Sequence, residues 1–175
     1  MSRTDTPLPS QKYAEKAAWD FVENEKPNFD LASVNPPFVF GPIAHQLPSL
    51  DALNTSNLKI RDAIQGKPTP PTGTYIFTDV RDLALAHVRA MEVPQAGGKR
   101  FLVAAGLYSN KQMEDVIRET HPDVAERLPK DTVDDMPQCV YSYDNSRVRE
   151  ILGVEFRSFK ECIGDTVTSL LEHGA

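Results

Sequence analysis

Cysteine and long hydrophobic runs are both scarce in this sequence of 175 residues. It has two cysteines, Cys139 and Cys162, which favours reduced, partly buried thiols and disfavours a disulfide. The longest apolar stretches, such as residues 101–106, are far shorter than the roughly 20 residues that a membrane-spanning helix requires. The first eight residues, MSRTDTPL, lack the apolar segment of a secretory signal. We therefore expect a cytoplasmic protein that does not associate with membranes.

Positive charge is also in deficit. The net charge is -6 at pH 7, so attraction to nucleic acid or to anionic lipid is not expected. The length fits one domain, and a hydrophobic content of 40% with 25% charged residues is ordinary for a globular protein.

Glycine-rich nucleotide-binding motifs are absent from the sequence. Neither G-x-G-x-x-G nor G-x-x-x-x-G-K-S/T occurs, and the first of these is what a complete Rossmann unit would use to approach a pyrophosphate. The four histidines are scattered, and neither cysteine has a second ligand nearby in sequence, so no metal site is expected. His45 alone falls in a loop after a predicted strand, where ligands commonly bind, although a solvent-facing residue is the simpler interpretation.

What the sequence does contain is an alternation of helical periodicity with short apolar runs. Helices are predicted over residues 13–24, 55–64, 82–91, 110–120, 146–152 and 159–171, and strands over residues 29–34, 75–77 and 100–105. The segment from Phe38 to Leu50, FVFGPIAHQLPSL, is predicted to be a loop, and Asp82 to be a helix N-cap. The first helix is expected to bury a stripe formed by Ala14, Ala17, Ala18, Phe21 and Val22. This alternation predicts an α/β protein with parallel strand pairing.

Tyr13 and Lys16 are one candidate for catalytic chemistry, because a spacing of three brings both to one side of a helix. A lysine beside a tyrosine lowers the pKa of the phenol, which can then deliver a proton to a carbonyl. The alternative is structural, with Tyr13 close to the apolar stripe and Lys16 paired with a carboxylate in solvent.

Six segments in order resemble the C-terminal half of the extended short-chain dehydrogenases/reductases, the NAD-dependent epimerase/dehydratase family. They are KYAEKAAWDF, SVNPPFVFGP, LNTSN, FTDVRDLALAHVRAME, GKRFLVAAG and DNSRVREILG, and they look most like fungal NADPH-dependent aldehyde and ketone reductases of the methylglyoxal reductase type. The resemblance implies an α/β fold made of a partial Rossmann sheet and a small α/β substrate domain, without the N-terminal glycine-rich half. Residues 1–9 would be a leader outside the family, and residues 10–175 a single partial domain.

The resemblance also implies roles for individual residues. Pro36 and Val39 would pack against the nicotinamide end of NADPH, with the Val39 backbone in reach of the carboxamide. Ser56 would hydrogen-bond to the cofactor, and Phe38 would face the pocket for a small carbonyl substrate. Ordinary loop packing is the alternative for Pro36, Phe38 and Val39.

The sequence departs from the family at its catalytic residues. Relatives carry Y-x-x-x-K at the start of the first helix, and alignment of KYAEKAAW places Pro7 at the tyrosine and Gln11 at the lysine. Neither side chain can donate and recover a proton as a phenol does. Tyr13 and Lys16 then resemble the catalytic tyrosine and lysine of the family but do not occupy their positions. No catalytic residue is predicted.

Two functional hypotheses follow. The first is an NADPH-dependent reductase of aldehydes and ketones, truncated and inactive as this chain. The second is a non-catalytic remnant of the substrate domain that acts as a binding or interaction module and pairs with a full-length relative. The edge of the predicted strand 29–34 would be available to a partner strand in that case.

Overall fold

A computed structural model describes residues 8–175 of the chain, with side chains from residue 10 onward. Pro7 and the rest of the predicted leader up to residue 7 lie outside the described residues. The helices are α1 (Leu8–Glu25), α2 (Thr55–Ile64), α3 (Val80–Glu92), α4 (Asn110–Thr120), α5 (Pro122–Ala125), α6 (Ser146–Glu150) and α7 (Phe159–Glu172). The strands are β1 (Ala32–Asn35), β2 (Phe38–Phe40), β3 (Ile76–Asp79), β4 (Lys99–Leu102) and β5 (Gly106–Leu107).

The strands form two small sheets with mainly parallel pairing. In the first sheet β1 runs parallel to β4, and in the second β2 runs parallel to β3 while β5 pairs antiparallel to β3. The predicted α/β class with parallel pairing is confirmed. None of the described helices combines the length and apolar character of a membrane span.

The segment from Phe38 to Phe40 corrects the sequence prediction, because it forms β2 and is not a loop. Phe38 pairs with Phe77 and Phe40 with Asp79, so β3 supplies the hydrogen-bonding partner that the local sequence does not reveal. The residue types, two phenylalanines around a valine, favour strand once such an edge is present.

The first strand is displaced from its predicted position at residues 29–34. Phe29 is 56% exposed, and the strand runs from Ala32 to Asn35. It continues to Asn35 because the carbonyl of that residue accepts a hydrogen bond from the Val103 amide at 3.1 Å. Pro36 follows, and it has no N–H with which to extend a ladder.

Helix α1 packs by a different face from the predicted one. Ala14, Ala17 and Ala18 are exposed, and Phe21 is 51% exposed, so the expected buried stripe is wrong except at Val22, which is partly buried. The other partly buried side chains on the helix are polar or amphipathic, and none of its described side chains is fully buried. Tertiary contacts determine which face of α1 packs on the sheet, and hydrophobic periodicity does not reveal those contacts.

The N-cap of helix α3 lies three residues before the predicted cap. Asp79 is the N-cap, and its side chain accepts a hydrogen bond from the Arg81 amide at 2.8 Å. Asp82, the predicted cap, is buried and accepts hydrogen bonds from Arg157 instead. Met91, near the end of the helix, is 82% exposed.

Two hydrophobic clusters form the core. One is centred on aromatic rings, with Phe40 edge-on to Tyr108 at 5.2 Å between centroids and Phe77 against Phe159 at 4.8 Å. The other packs under the β1–β4 sheet and includes Phe101. Helix α7 buries Ile163, Val167 and Leu170 against the first cluster, as the sequence predicts.

Candidate functional site

A cleft of about 770 Å³ opens where β1 ends. Its wall is formed by the start of α1 and by the chain that follows β1, with residues Gln11, Lys12, Glu15, Val34, Asn35, Pro36, Pro37, Phe38 and Thr74. The carboxyl end of a parallel strand is the usual location of ligand sites in α/β proteins. Pro36 and Pro37 end the strand there and turn the chain along the cleft, since proline cannot donate to a ladder.

Glu15 organises the polar side of this cleft. Its carboxylate accepts hydrogen bonds from Arg100 at 2.5 and 2.9 Å, from the Ser33 hydroxyl at 2.8 Å and from the Trp19 indole at 3.2 Å. The pKa of the Glu15 carboxylate is lowered from 4.5 to about 2, mainly by the Arg100 guanidinium. Partial burial raises this pKa, whereas the hydrogen bonds from Ser33 and Trp19 lower it further. Asn35 extends the network by donating to the Ser33 hydroxyl at 3.1 Å. Glu15 thus joins α1 to both strands of the first sheet.

The structure brings two of the predicted cofactor residues, Val39 and Ser56, into direct contact. The Ser56 hydroxyl donates a hydrogen bond to the Val39 carbonyl, and Ser56 is only 5% exposed. The Asn54 amide donates both to the Ser56 hydroxyl, at 2.6 Å, and to the Val39 carbonyl, at 3.3 Å. The start of α2 therefore fixes the backbone of β2 at Val39.

A second cleft, of about 260 Å³, lies on the other side of this contact and includes Val39, Gly41, Asn54 and Asn57 in its wall. The Asn57 side chain donates to the Gly41 carbonyl at 3.0 Å, while its own side-chain oxygen is buried without a hydrogen-bond partner among the described residues. A buried acceptor of this kind is costly unless a donor satisfies it. Gly41 is required at its position, since its φ is +133° and a Cβ atom would lie 2.6 Å from a side-chain carbon of Val80.

Phe38 and Pro36 both line the first cleft. The Lys59 ammonium lies 5.1 Å from the centre of the Phe38 ring and donates to the Asn110 side chain at 3.3 Å. Burial lowers the pKa of Lys59, and the negative charge of Asp135 opposes that shift.

Tyr13 and Lys16 do not form a catalytic pair in the structure. Tyr13 is 67% exposed, and Lys16 is paired with Asp20 across one helical turn. The interpretation of Lys16 as a solvent-exposed ion pair is confirmed, whereas the expected proximity of Tyr13 to a buried stripe is wrong. Gln11 lies in the wall of the first cleft. His45 borders the second cleft.

Three residues of the site were missed by the sequence prediction. Glu15 and Lys59 look like solvated helix charges in the sequence, because their partners lie as far as 85 residues away. Asn35 precedes two prolines in the sequence, and nothing in the sequence indicates its hydrogen bond to Ser33. Among the described residues, no group of three histidine, cysteine or acidic side chains is placed to hold a metal ion.

The chain matches fungal reductases along most of its length. It is 49% identical over 168 residues to the ketoreductase azaE of Aspergillus niger, covering 93% of this chain and 50% of that protein. It is 31% identical over 172 residues to the NADPH-dependent methylglyoxal reductase GRE2 of Saccharomyces cerevisiae, again covering 93% of this chain and 50% of the relative. The chain therefore spans about half the length of these relatives. A scan against models of protein families gives no match.

Solved structures agree with this similarity. The complex of Gre2 with NADPH from Candida albicans superposes with a TM-score of 0.86 at 32% identity, over 100% of this chain and 56% of that one. UDP-glucuronic acid 4-epimerase from Bacillus cereus shares the fold, with a TM-score of 0.65 at 15% identity. Over about half of their length, the chain is homologous to the fungal NADPH-dependent methylglyoxal reductases and ketoreductases, which are extended short-chain dehydrogenases/reductases.

Proposed function

We propose that this chain forms the nicotinamide-facing and substrate-facing half of an NADPH-dependent reductase of aldehydes and ketones. The observation that supports this most directly is the cleft at the carboxyl end of β1, lined by Pro36 and Phe38 next to the Ser56–Val39 contact. These are the residues to which the resemblance assigns cofactor and substrate contacts. The chain also superposes on 56% of a Gre2 protein that was solved with NADPH.

The residues fit the nicotinamide end of the cofactor. Pro36 in the first cleft and Val39 in the second each offer apolar surface to a planar ring, and the orphaned Asn57 oxygen in the second cleft is an acceptor that an amide N–H would satisfy. NADPH supplies the hydride in this class of reaction. Phe38 forms an apolar wall for the carbonyl substrate, with the Lys59 ammonium on its ring.

We expect the chain alone not to turn over carbonyl substrates. Proton delivery in the family uses ionisable groups at two fixed positions, and the position of the family's lysine is Gln11, an amide without a titrating proton. Pro7, at the position of the tyrosine, has no side-chain proton at all. A cytoplasmic location agrees with this proposal, because both cysteines are free thiols.

Cofactor binding tests the proposal directly. The purified chain is titrated with NADPH while its melting temperature and the nicotinamide fluorescence are recorded. At 100 times Kd, bound NADPH stabilises the chain by about 2.7 kcal/mol. Val39→Trp, which fills the second cleft, should abolish the response. Val133→Trp is the matched control, because Val133 is 79% exposed and outside both clefts.

A binding or interaction module that pairs with a full-length relative is a second candidate, supported by the lightly packed helix α1 and by the lack of a second strand partner for β1 among the described residues. The same titration separates the two candidates. Saturable NADPH stabilisation that Val39→Trp removes supports the reductase half. The absence of any shift up to millimolar NADPH contradicts it and leaves the interaction module.

A further inference from the structure

Lys59 carries a positive charge that has no ion-pair partner in the described part of the chain. The residue is half-buried on α2, and burial lowers the pKa of its ammonium group. Within the described residues its hydrogen bonding consists of one long contact, 3.3 Å to the side-chain oxygen of Asn110. An ammonium group has three protons to donate, so most of its hydrogen-bonding capacity is unused by the protein.

The nearby carboxylate of Asp135 does not serve as the partner of this ammonium. Its negative charge opposes the fall in the Lys59 pKa, but the two side chains form no salt bridge. Both carboxylate oxygens of Asp135 instead accept hydrogen bonds from Thr72, one from the amide at 2.6 Å and the other from the hydroxyl group. Because electrostatic attraction grows as the distance shortens, an anion in direct contact with Lys59 would be held more strongly than Asp135 is.

The ammonium lies beside one part of the first cleft. It is 5.1 Å from the centre of the Phe38 ring, and Phe38 and Thr74 both belong to the cleft wall. Tyr75, the residue after Thr74, donates from its hydroxyl group to the Asp135 carbonyl at 3.0 Å. Since Asp135 is also close enough to act on Lys59, these contacts place the Lys59 charge next to the part of the wall that Phe38 and Thr74 form.

The first cleft has an excess of positive charge. The charged residues in its wall are Lys12 and Glu15. The Glu15 carboxylate is neutralised by its two hydrogen bonds from Arg100, whereas none of the described residues pairs with Lys12. With Lys59 beside the wall, the cleft is positive in a chain whose net charge is -6. A cleft of this sign concentrates anionic ligands.

The surroundings of Lys59 hold its charge in one position. Asn110 is 2% exposed, and its side-chain amide donates to the Pro70 carbonyl at 2.6 Å, so the oxygen that contacts Lys59 is fixed. The Phe38 ring attracts the ammonium from the other direction. A cation that is already positioned loses little freedom when it binds an anion, which favours recognition by charge.

We propose that Lys59 is a specificity-determining residue of the first cleft, where it selects aldehydes and ketones that carry a carboxylate group. Its ammonium donates a charge-assisted hydrogen bond to the carboxylate, and Phe38 packs against the apolar part of the same molecule. The inference rests on the proposed function, because it names the substrate class of that cleft. It concerns binding and does not require turnover.

Calorimetric titration of the chain with two matched probes tests the inference. Benzoylformate carries a ketone, an aromatic ring and a carboxylate, and its methyl ester has the same ketone and ring without the charge. We expect benzoylformate to bind about tenfold more tightly than the ester, owing to the charge-assisted hydrogen bond. Equal affinities overturn the inference, as does the absence of saturable binding of either probe at millimolar concentration.

Four variants locate the charge. Lys59→Met keeps an unbranched side chain over Phe38 but removes the charge, so both probes should then bind equally. Lys59→Arg keeps the charge and should retain the preference for benzoylformate. Lys130→Met is the matched control, because Lys130 is exposed and outside both clefts, and it should retain the preference in full. Loss of the preference in Lys12→Met, with its retention in Lys59→Met, would assign the charge to Lys12 and overturn the inference.

A purely structural role of Lys59 gives a different result. Lys59→Met would then weaken the binding of both probes alike and leave their ratio unchanged, which contradicts the inference. Titration with NADPH separates the inference from the proposed function. A chain that binds NADPH but holds both probes equally would refute the substrate class alone. A Lys59-dependent preference for benzoylformate in a chain that does not bind NADPH would contradict the proposed function and support the recognition of carboxylates.

Discussion

The attachment of α1 to the sheet is expected to depend on pH through Glu15. Glu15→Gln keeps the size of the side chain but removes the charge that pairs with Arg100. Lowering the Glu15 pKa from 4.5 to about 2 corresponds to an upper limit of ~3.5 kcal/mol, at about 1.4 kcal/mol per pKa unit. Because the Arg100 side chain is 60% exposed, solvent screening reduces the expected contribution to about 1 kcal/mol.

The sign of the effect is set by the lowered pKa. The folded carboxylate holds its proton less tightly than the unfolded one, so its stabilisation is complete above pH 4.5 and is lost as the pH falls toward 2. The difference in stability between the unmodified chain and Glu15→Gln should therefore be about 1 kcal/mol at pH 7 and should shrink below pH 4.

Trp19 provides the assay. It is the single tryptophan of the chain, lies on α1 and donates to Glu15 at 3.2 Å, so its fluorescence reports local release of the helix as well as global unfolding. Urea titrations at pH 7 and pH 3 are compared for both proteins. Glu92→Gln is the control, because the Arg89–Glu92 pair is exposed on both sides and its loss should change stability by less than about 0.5 kcal/mol. A difference for Glu15→Gln that is the same at both pH values would refute the reasoning.

Three further predictions concern the loop and the thiols. Ser56→Ala should destabilise the chain by about 1 kcal/mol in urea titrations, because the Val39 carbonyl loses its nearer donor, whereas Ser56→Thr should keep most of that stability; equal losses would contradict the role of the hydroxyl. Gly41→Ala should cost more than about 1 kcal/mol by the same measure, owing to its positive φ and the close approach of α3, and a neutral result would show that the turn adapts freely. Ellman's reagent should titrate Cys139 alone in the folded chain, because Cys139 is exposed while burial raises the pKa of Cys162; rapid reaction of two thiols would be inconsistent with that burial.

Sequence periodicity predicted helices well where the helices pack on the core. In α4 and α7 the apolar spacing indicates Met113, Ile117 and Val167, and all three are buried, although Glu114 of α4 is buried as well. For α1 the same reasoning chose the wrong face. Periodicity identifies an apolar side of a helix, but it does not say whether the chain itself contains the surface that covers that side.

The sequence indicated which residues lie near the clefts better than it indicated the hydrogen bonds between them. The resemblance placed Pro36, Phe38, Val39 and Ser56 near one another, and the structure brings Pro36 and Phe38 to one cleft and Val39 into contact with Ser56. What the sequence could not show was the network of Glu15, since a helix residue and a strand residue 85 positions apart meet only through the tertiary fold.

The geometry at Ser56 limits how it would contact a cofactor. A hydroxyl group has one proton to donate and two lone pairs to accept. The proton is given to the Val39 carbonyl, and one lone pair receives the Asn54 amide. Only an acceptor position remains, so a carboxamide bound here must present its N–H to Ser56 and not its carbonyl. A single acceptor position on Ser56 would therefore favour the amide side of a nicotinamide over its carbonyl.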